Sequence, residues 1–490
     1  MWGDTMKICF IADIHLPYKS DAVQYRALEY LCSCALKNGA ELFIAAGDYT
    51  ANGDTAAAER FIGTLKSTGL PYLISTGNSD IRTQSTAKTL MSLASPCFNS
   101  FEGCGIITLN DCDGHLSAGA KAALELADEH SLIVMHHPPE NLARDDRMMF
   151  ENFLGTHPHN HIFFAHIHKS FSDGRLHSLP CADPDKAIGE EPGVLIFDTA
   201  DCSEQTLHFP CPMPGNFREN IGITCYHPIA DLDFARKNRI LYAELRFTRD
   251  LCAGAELKNA VDSWRCAGAK GLSVHAPDIL FDGDGGIKNA DEWSAFTNFV
   301  NLLPADRITV HVPCCSVESY SDEVLHNNLK KFINIQFSRL HPSCIIGVEN
   351  MHMTARDRPD STRRFGYLPE ECREFKELCA SLTAHKVGYN IDIGHARNNA
   401  PFSEKYTLGA WYAELGKNAV GYHIHQVRSG SAGFENHTPF TKPYGALISL
   451  ASFFSEYACG NLANAPVILE IRNNGHIQSL EALFGGIVTD

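Results

Sequence analysis

Carboxylate and imidazole side chains follow apolar runs at several points in this sequence. In Lys7-Ile-Cys-Phe-Ile-Ala-Asp13-Ile-His15, five mostly apolar residues lead to an aspartate and a histidine that are separated by one residue. Residues two apart in an extended chain point to the same side, so Asp13 and His15 form a pair of ligands suited to a divalent metal. The apolar run itself predicts a buried strand of a parallel sheet.

The same pattern recurs along the first 170 residues. Apolar runs lead to Gly47-Asp48, Gly77-Asn78-Ser79-Asp80, His136-His137-Pro-Pro and Ala165-His166-Ile-His168. Glycine beside a ligand lets the backbone turn tightly and approach a bound ion or phosphate. The recurrence, more than any single block, predicts a metal centre.

Taken in order, the blocks D-x-H, G-D, G-N-x-D, H-H-P-P and A-H-x-H resemble the calcineurin-like metallophosphoesterase superfamily from Met6 to about Phe197. The resemblance implies an α/β sandwich that binds two divalent metals, manganese, iron or zinc, roughly 3.5–4 Å apart. It also implies that Asp48 bridges them and that Asp48, Asn78 and His136 are catalytic. The implied ligands are Asp13, His15, Asp48 and His168 for one metal, and Asp48, Asn78, His136 and His166 for the other.

Two positions depart from that family's pattern. Many members carry histidine directly after the asparagine, where it can protonate the leaving group, but this chain has Ser79. Ser79 therefore favours substrates with good leaving groups, or metal-bound water as the proton source. Ala165 stands in place of the usual glycine before the last H-x-H block.

After residue 220, eight strand-like runs alternate with helical segments. Eight such units in about 270 residues predict a (β/α)8 TIM barrel, whose active site lies at the carboxyl ends of the strands. The predicted strands are Ile221–Tyr226, Ile240–Arg246, Gly271–His275, Ile308–Val312, Cys344–Glu349, Val387–Asp392, Ala419–His425 and Val467–Ile471.

From the third predicted strand onward, nearly every strand ends at a histidine or a carboxylate. These blocks resemble the endonuclease IV branch of the xylose-isomerase-like barrels, which implies up to three zinc ions and catalytic roles for Glu349 and Glu470. In this chain Glu435 replaces an aspartate of that family, and Gln426 replaces an acid. The implied ligand sets are His275, His311 and Glu349; Glu349, Asp392, His423 and Glu470; and His395, Glu435 and His437.

Arginines close to these blocks are predicted to bind substrate. A guanidinium group can grip two phosphate oxygens at once, although solvated surface charge is the alternative role for the loop after Glu349. The candidates are Arg356, Arg358, Arg363, Arg364 and Arg472.

The length of 490 residues predicts two domains. Residues 1–208 are expected to form the phosphoesterase domain and residues 220–490 the barrel. Residues 209–219 are the predicted linker, because their three prolines and one glycine disfavour regular structure.

Charge and composition limit the partners. The formal charge is −17, but residues 1–220 carry about −13 of it and residues 221–490 about −4. Bound divalent ions would make the second half neutral or positive, so a polyanionic substrate remains compatible with the sequence.

We find no apolar run near the roughly 18 residues that span a bilayer and no signal-peptide pattern. We therefore expect a cytoplasmic protein with reduced cysteines and no membrane association. The sequence does not determine the oligomeric state.

Three classes of function follow from these patterns. The first is a bifunctional phosphoesterase acting on a phosphorylated small molecule or nucleic acid. The second is a phosphatase fused to a sugar or sugar-phosphate isomerase or epimerase, which needs only the set Glu349, Asp392, His423 and Glu470. The third is a scaffold that keeps both folds without metal. The additional ligands His275, His311, Glu435 and His437 favour the first.

Overall fold

The computed structural model describes residues 5–251, 254–353, 362–430, 433–445 and 447–487. The chain forms two compact units. The first comprises Met1–Pro212 and Tyr444–Ser455, and the second comprises Met213–Pro443 and Glu456–Asp490. The stretch 209–219, which we propose as the linker, contains the main division.

Within the described part of the first unit, the strands form two sheets, with the orders β11-β10-β1-β2-β3 and β4-β5-β6-β7-β9-β8. β1 pairs in parallel with β2, and β2 with β3, so the carboxyl ends of the three strands share one edge. The strands are β1 (Lys7–Ile11), β2 (Leu42–Ala46), β3 (Tyr72–Ser75), β4 (Phe98–Phe101), β5 (Cys104–Thr108), β6 (Leu132–Val134), β7 (His161–Phe164), β8 (Phe171–Asp173), β9 (Leu176–Ser178), β10 (Gly193–Asp198) and β11 (Ser203–His208).

Apolar residues hold these sheets and the surrounding helices in layers. One core cluster joins residues of both sheets, and the rings of Phe10 and Phe163 stack there with their centroids 4.1 Å apart. Two further clusters pack helices onto the outer faces of the sheets, which confirms the predicted α/β sandwich. The helices are α1 (Val23–Lys37), α2 (Thr55–Ser67), α3 (Gln84–Met91), α4 (Ala118–Leu124) and α5 (Arg144–Thr156).

In the second unit, eight described strands close into a barrel in the order β12-β13-β14-β15-β17-β19-β20-β23. All neighbouring pairs are parallel, which confirms the predicted TIM barrel. The strands are β12 (Ile221–Cys225), β13 (Tyr242–Arg246), β14 (Gly271–His275), β15 (Arg307–His311), β16 (Cys315–Ser316), β17 (Ile345–Glu349), β18 (Arg363–Arg364), β19 (Val387–Asp392), β20 (Ala419–Ile424), β21 (Gln426–Gly430), β22 (Gly433–Thr438) and β23 (Val467–Leu469).

Helices separate most of the barrel strands, as the alternation in the sequence predicts. Two short antiparallel pairs, β16–β18 and β21–β22, lie outside the barrel sheet. The helices are α6 (Phe217–Asn220), α7 (Pro228–Lys237), α8 (Ala255–Cys266), α9 (Ala290–Leu302), α10 (Val317–Tyr320), α11 (Glu323–Phe337), α12 (Pro369–Leu382), α13 (Ile393–Arg397), α14 (Phe402–Lys405), α15 (Leu408–Leu415), α16 (Ala451–Ala458) and α17 (Gly475–Phe484). Among the described residues, no helix is both long and apolar enough to cross a membrane.

Candidate metal centres

The first centre lies where strands of both sheets of the first unit end. Asp13, Asp48 and Asn78 follow β1, β2 and β3, while His136 and His166 follow β6 and β7. The structure brings all seven predicted ligands of this unit close together, in two groups around Asp48. Asp13, His15, Asp48 and His136 are buried.

Asp48 faces both groups with different oxygens. Its Oδ2 lies 3.1 Å from His15 Nε2, and its Oδ1 lies 3.5 Å from His136 Nε2. Ser79 holds this carboxylate in place, because its backbone N–H donates to Oδ1 and its hydroxyl donates to Oδ2. The arrangement is the one expected of a carboxylate shared between two metals.

The remaining predicted ligands complete the two groups. Asn78 Oδ1 lies 3.0 Å from both His136 Nε2 and His166 Nδ1. On the other side, His168 Nε2 is 3.9 Å from Asp13 Oδ1, and that buried oxygen has no hydrogen-bond partner of suitable geometry. Converging donor atoms and an unsatisfied buried carboxylate oxygen fit a bound cation.

Glycine is required at two positions of this centre. A Cβ on Gly77 would lie 2.2 Å from Asp48 Oδ1, and one on Gly47 would lie 2.6 Å from His136 Nδ1. Gly47 also has a φ of +91°. The glycines of the G-D and G-N blocks therefore make room for the neighbouring ligands.

Several of the ligands have left-handed backbone conformations that non-glycine residues rarely adopt. The φ values are 52° at Asp13, 44° at His15, 51° at Asp48, 72° at His166 and 57° at His168. Each such residue costs on the order of 1 kcal/mol or more, and such strain concentrates at functional sites. The observed strain thus supports a functional role for these turns.

Burial and mutual charge strongly shift the pKa values in this centre. Burial raises the pKa of Asp13 to about 7, and burial lowers the pKa of His15 to about 4. Although burial opposes it, the carboxylates of Asp48, Asp13 and Asp111 raise the pKa of His136 to about 9. A divalent cation would favour the ionised carboxylates and the neutral imidazoles that binding requires.

Three aspartates that we did not predict contact ligands of this centre or the turns that carry them. Asp111 accepts hydrogen bonds from the backbone N–H groups of His136 and His137, and Asp183 Oδ2 lies 3.5 Å from His15 Nδ1. Asp80 accepts from the backbone of Thr50 and Gly77. Asp80 was visible in the G-N-x-D block, whereas Asp111 and Asp183 lie in loops without a recognisable pattern.

The second centre occupies the carboxyl ends of the barrel strands. His275, His311, Glu349 and Asp392 are the last residues of β14, β15, β17 and β19. His423 lies near the end of β20, and Glu470 directly follows β23. All six side chains are buried.

Glu349 and His423 link the first two predicted sets of this centre. Glu349 Oε2 is 3.2 Å from His275 Nε2 and 3.4 Å from His311 Nε2. His423 Nδ1 is 2.7 Å from Glu349 Oε1 and 2.8 Å from Glu470 Oε2. Asp392 Oδ2 lies 3.9 Å from the same nitrogen. The structure therefore places both predicted sets around one shared carboxylate.

The outward-facing nitrogens of these histidines have their own partners. His311 Nδ1 is 2.7 Å from Asp278 Oδ1, and His275 Nδ1 is 3.0 Å from the Ala276 carbonyl oxygen. Such contacts fix the ring orientation and leave the other nitrogen for a metal. His311 Nε2, Glu349 Oε2, Asp392 Oδ2 and Glu470 Oε2 are indeed buried without a hydrogen-bond partner of suitable geometry. The donor set thus fits divalent metals.

Glu244, in the middle of β13, was missed because no strand-end pattern marks it. Its Oε1 lies 2.9 Å from His423 Nε2, while Ser273 and Thr309 donate hydrogen bonds to its Oε2. Although burial opposes it, His423 lowers the pKa of Glu244 to about 2. Glu244 therefore orients His423 from the interior of the barrel.

The third predicted set is arranged differently from the ligand set that the resemblance implies. His395 and His437 lie together, with ring centroids 5.2 Å apart, but the third side chain that converges with them is His425. Glu435 lies on β22 opposite Arg428 of β21 and is exposed. The H-x-H spacing of His423 and His425 was the signal for this residue.

The predicted substrate arginines have varied positions. Arg356 and Arg358 lie outside the described residues. Arg364 stacks on Tyr320 and donates to Glu374, Arg363 contacts Cys314, and Arg472 is exposed two residues after Glu470. An arginine that we did not predict, Arg246 at the end of β13, is partly exposed and places Nη1 3.5 Å from Glu470 Oε1.

Comparison with known proteins covers each half separately. Residues 6–170 match the family model of the calcineurin-like phosphoesterases, and no curated protein matches the sequence significantly. Similar solved structures include a xylose isomerase domain protein from Planctomyces limnophilus (11% identity, 53% of this chain and 90% of that chain, TM-score 0.35). A second is endonuclease IV from Thermus thermophilus (13% identity, 51% of this chain and 91% of that chain, TM-score 0.35). A third is a dimetal phosphatase from Danio rerio (10% identity, 42% of this chain and 99% of that chain, TM-score 0.30).

TM-scores this low carry no argument about function, so the barrel is assigned from its own strand order and the first unit from the family match. That match spans all five motif blocks and the seven predicted ligands that converge around Asp48. Residues 6–170 therefore form a calcineurin-like phosphoesterase domain, which makes the chain a metal-dependent hydrolase.

Proposed function

We propose that the chain is a bifunctional phosphoesterase, with a two-metal phosphohydrolase site in the first unit and a three-metal phosphodiesterase site in the barrel. The substrates are nucleotide, nucleic-acid or sugar-phosphate esters. The observation that carries the proposal is the presence of two clusters of largely buried carboxylates and imidazoles at strand ends, each with at least one buried oxygen or nitrogen that has no hydrogen bond of suitable geometry.

In the first unit, Asp13, His15, Asp48 and His168 would hold one metal and Asp48, Asn78, His136 and His166 the other. Manganese, iron or zinc would polarise a phosphoryl oxygen and lower the pKa of a water molecule. Ser79 positions Asp48 through two hydrogen bonds. Because a serine cannot act as an acid near neutral pH, hydrolysis should be fastest for esters with good leaving groups.

In the barrel, Glu349 would be shared between two zinc ions, one also held by His275 and His311 and the other by Asp392, His423 and Glu470. The third zinc would lie beside His395 and His437. Arg246 adds positive charge next to Glu470, and a guanidinium group there can bind an oxygen of a phosphodiester anion. The number of ligands exceeds what a single-metal proton transfer needs.

The test uses a panel of phosphomonoesters, cyclic and linear nucleotides and abasic DNA with the full chain. Asp48→Asn should abolish one activity and Glu349→Gln another, because each removes the charge of a shared ligand. Asp21→Asn and Glu377→Gln make the same chemical changes at exposed positions and should leave both activities intact. If neither variant changes any phosphoester hydrolysis, the proposal is wrong.

A second candidate function for the barrel is sugar or sugar-phosphate isomerisation. Glu349, Asp392, His423 and Glu470 form a compact buried set that could bind one metal, with carboxylates acting as acid and base. Isomerisation of a ketose or aldose that Glu349→Gln abolishes, together with about three metals per chain instead of about five, would favour this alternative.

A further inference from the structure

His425 lies at the centre of an unassigned group of histidines in the barrel. Its ring centroid is 4.3 Å from that of His437 and 5.5 Å from that of His395. One nitrogen from each of the three rings lies within 4.8 Å of the others, and all three residues are buried. The group adjoins the second ligand set, since His425 Nε2 is 3.2 Å from Asp392 Oδ1.

The outer nitrogens of these rings are engaged by the backbone. His395 Nδ1 lies 3.1 Å from the Asn350 carbonyl oxygen, and His437 Nδ1 lies 3.0 Å from that of Glu470. His425 Nδ1 lies 3.1 Å from the Gln426 carbonyl oxygen and 3.0 Å from the His437 backbone nitrogen. Metal binding at Nε2 would select the tautomer in which Nδ1 donates its hydrogen to the Gln426 carbonyl. The Nε2 atoms of His395 and His425 are buried and have no hydrogen-bond partner of suitable geometry.

The local backbone is shaped around the His425 ring. A Cβ on Gly394 would lie 1.9 Å from His425 Cε1 and 2.3 Å from its Nε2. Gly394 belongs to the Asp392-Ile-Gly-His395 block, directly before another member of the group. Only glycine therefore lets His425 occupy this position beside the ligand-bearing helix α13.

Glu435, the residue that the family resemblance places here, lacks these features. It is exposed, whereas His425 has no exposed surface. Its strand position faces Arg428 across the β21–β22 pair. An exposed carboxylate gains little from leaving water for a metal. The buried Nε2 of His425 faces Asp392 Oδ1 at 3.2 Å without a hydrogen bond of suitable geometry, so a cation there would meet both an imidazole nitrogen and a carboxylate.

We propose that the third metal of the barrel is bound by His395, His425 and His437, with His425 in the role that the resemblance gives to Glu435. This inference rests on the three-metal barrel of the proposed function. Three neutral imidazoles select zinc or cobalt over magnesium or manganese and leave a fourth position open. Replacing a carboxylate by an imidazole also makes the loaded centre more positive by one charge, which favours an anionic substrate.

The test counts zinc in the full chain. Wild type, His425→Gln and Glu435→Gln are stripped with a chelator, reloaded with Zn²⁺, separated from free metal and measured by elemental analysis. Wild type should hold about five zinc ions per chain, His425→Gln one fewer, and Glu435→Gln the same number as wild type. Reloading with Mg²⁺ instead should leave the three-histidine position empty in all three proteins.

A second pair of variants guards against a folding defect in His425→Gln. Gly394→Ala should displace the His425 ring and lose the same single zinc ion, while Gly283→Ala, at a position with open space around it, should keep the wild-type number. Far-ultraviolet circular dichroism and the activity of the first unit should be unchanged in every variant.

The outcomes separate the two proposals. When wild type holds about five zinc ions, two results overturn the three-histidine assignment. One is that Glu435→Gln loses a zinc ion, and the other is that His425→Gln and Gly394→Ala both keep the wild-type number. If wild type itself holds about four or fewer, the three-metal barrel has failed, and the assignment of His425 fails with it.

Discussion

Glu244, Asp111 and Asp183 show how single residues outside the motifs prepare both centres. Each is buried: Glu244 and Asp183 lie beside the rings of the predicted ligands His423 and His15, and Asp111 accepts a hydrogen bond from the backbone N–H of His136. Such partners usually matter about 10–100-fold for metal affinity or activity. The sequence did not reveal them, because a carboxylate in a strand interior or an irregular loop has no spacing that distinguishes it from a structural residue.

Arg246 offers a prediction at the residue scale. Its guanidinium group lies beside Glu470 and is partly exposed, so it can reach a phosphate oxygen at the barrel centre. Arg246→Met should raise the KM for a phosphodiester about tenfold, equivalent to about 1.4 kcal/mol, with a smaller change in kcat. Steady-state kinetics at fixed zinc concentration measure both constants.

The matched control for that prediction is Arg249→Met. Arg249 is highly exposed and pairs with Glu292 instead of a metal ligand, so its KM should remain that of wild type. An equal rise in KM for both variants would indicate a general effect of net charge, and an unchanged KM for Arg246→Met would contradict the prediction.

At the scale of elements, strand positions were the most predictable feature. All eight predicted barrel strands overlap the observed ones, because parallel strands buried on both faces appear in sequence as continuous apolar runs. The ligand blocks were equally visible, since they directly follow those runs. The left-handed conformations at Asp13, His15 and Asp48 were not, because the enrichment of aspartate and histidine in this region is too weak to single out particular positions. The β21–β22 pairing that places Glu435 opposite Arg428 likewise depends on tertiary contacts.

Strands β7 and β9 provide a prediction about pH. His161 Nδ1 lies 2.8 Å from His177 Nε2, and His177 in turn contacts Glu204. Burial, with a contribution from His177, lowers the pKa of His161 to about 4, compared with about 6.5 in an unfolded chain. The unfolded state therefore binds more protons below pH 6.5, so the stability from this group is complete above pH 6.5 and is lost as the pH falls towards 4.

Between pH 7 and pH 4, the free energy of unfolding of the first unit should fall by about 1–2 kcal/mol less in His161→Phe than in wild type. This figure is smaller than the full pKa shift implies, because the His161 side chain is partly exposed. Phenylalanine keeps a ring next to His177 but cannot be protonated. Thermal unfolding of the first unit at a series of pH values measures the difference. His159→Phe, at an exposed position nearby, should retain the wild-type pH dependence, and identical slopes for His161→Phe and wild type would refute the expectation.

At the scale of the whole molecule, the first compact unit is not one continuous stretch of the chain. The segment Tyr444–Ser455 follows seven strands of the barrel in sequence but groups with the first unit. There, Ser449 and Ser452 donate backbone hydrogen bonds to the carbonyls of Asp185 and Pro184, and Tyr444 donates its hydroxyl hydrogen to Cys211. Sequence patterns could not predict this, since the interaction joins residues more than 200 positions apart.

Ala451 lies in the apolar core cluster of the first unit and is completely buried. Ala451→Asp in the full chain should therefore destabilise the first unit, because an unpaired carboxylate in an apolar cluster costs several kcal/mol. At about 2–4 °C per kcal/mol for a domain of this size, the unfolding transition of that unit should fall by about 5–15 °C. Calorimetry, together with the separate activities of the two centres, measures the effect.

The matched control is Ala255→Asp, at the exposed first residue of α8, which should leave both transitions in place. A selective loss of the barrel's transition and activity in Ala451→Asp would instead mean that this segment stabilises the barrel.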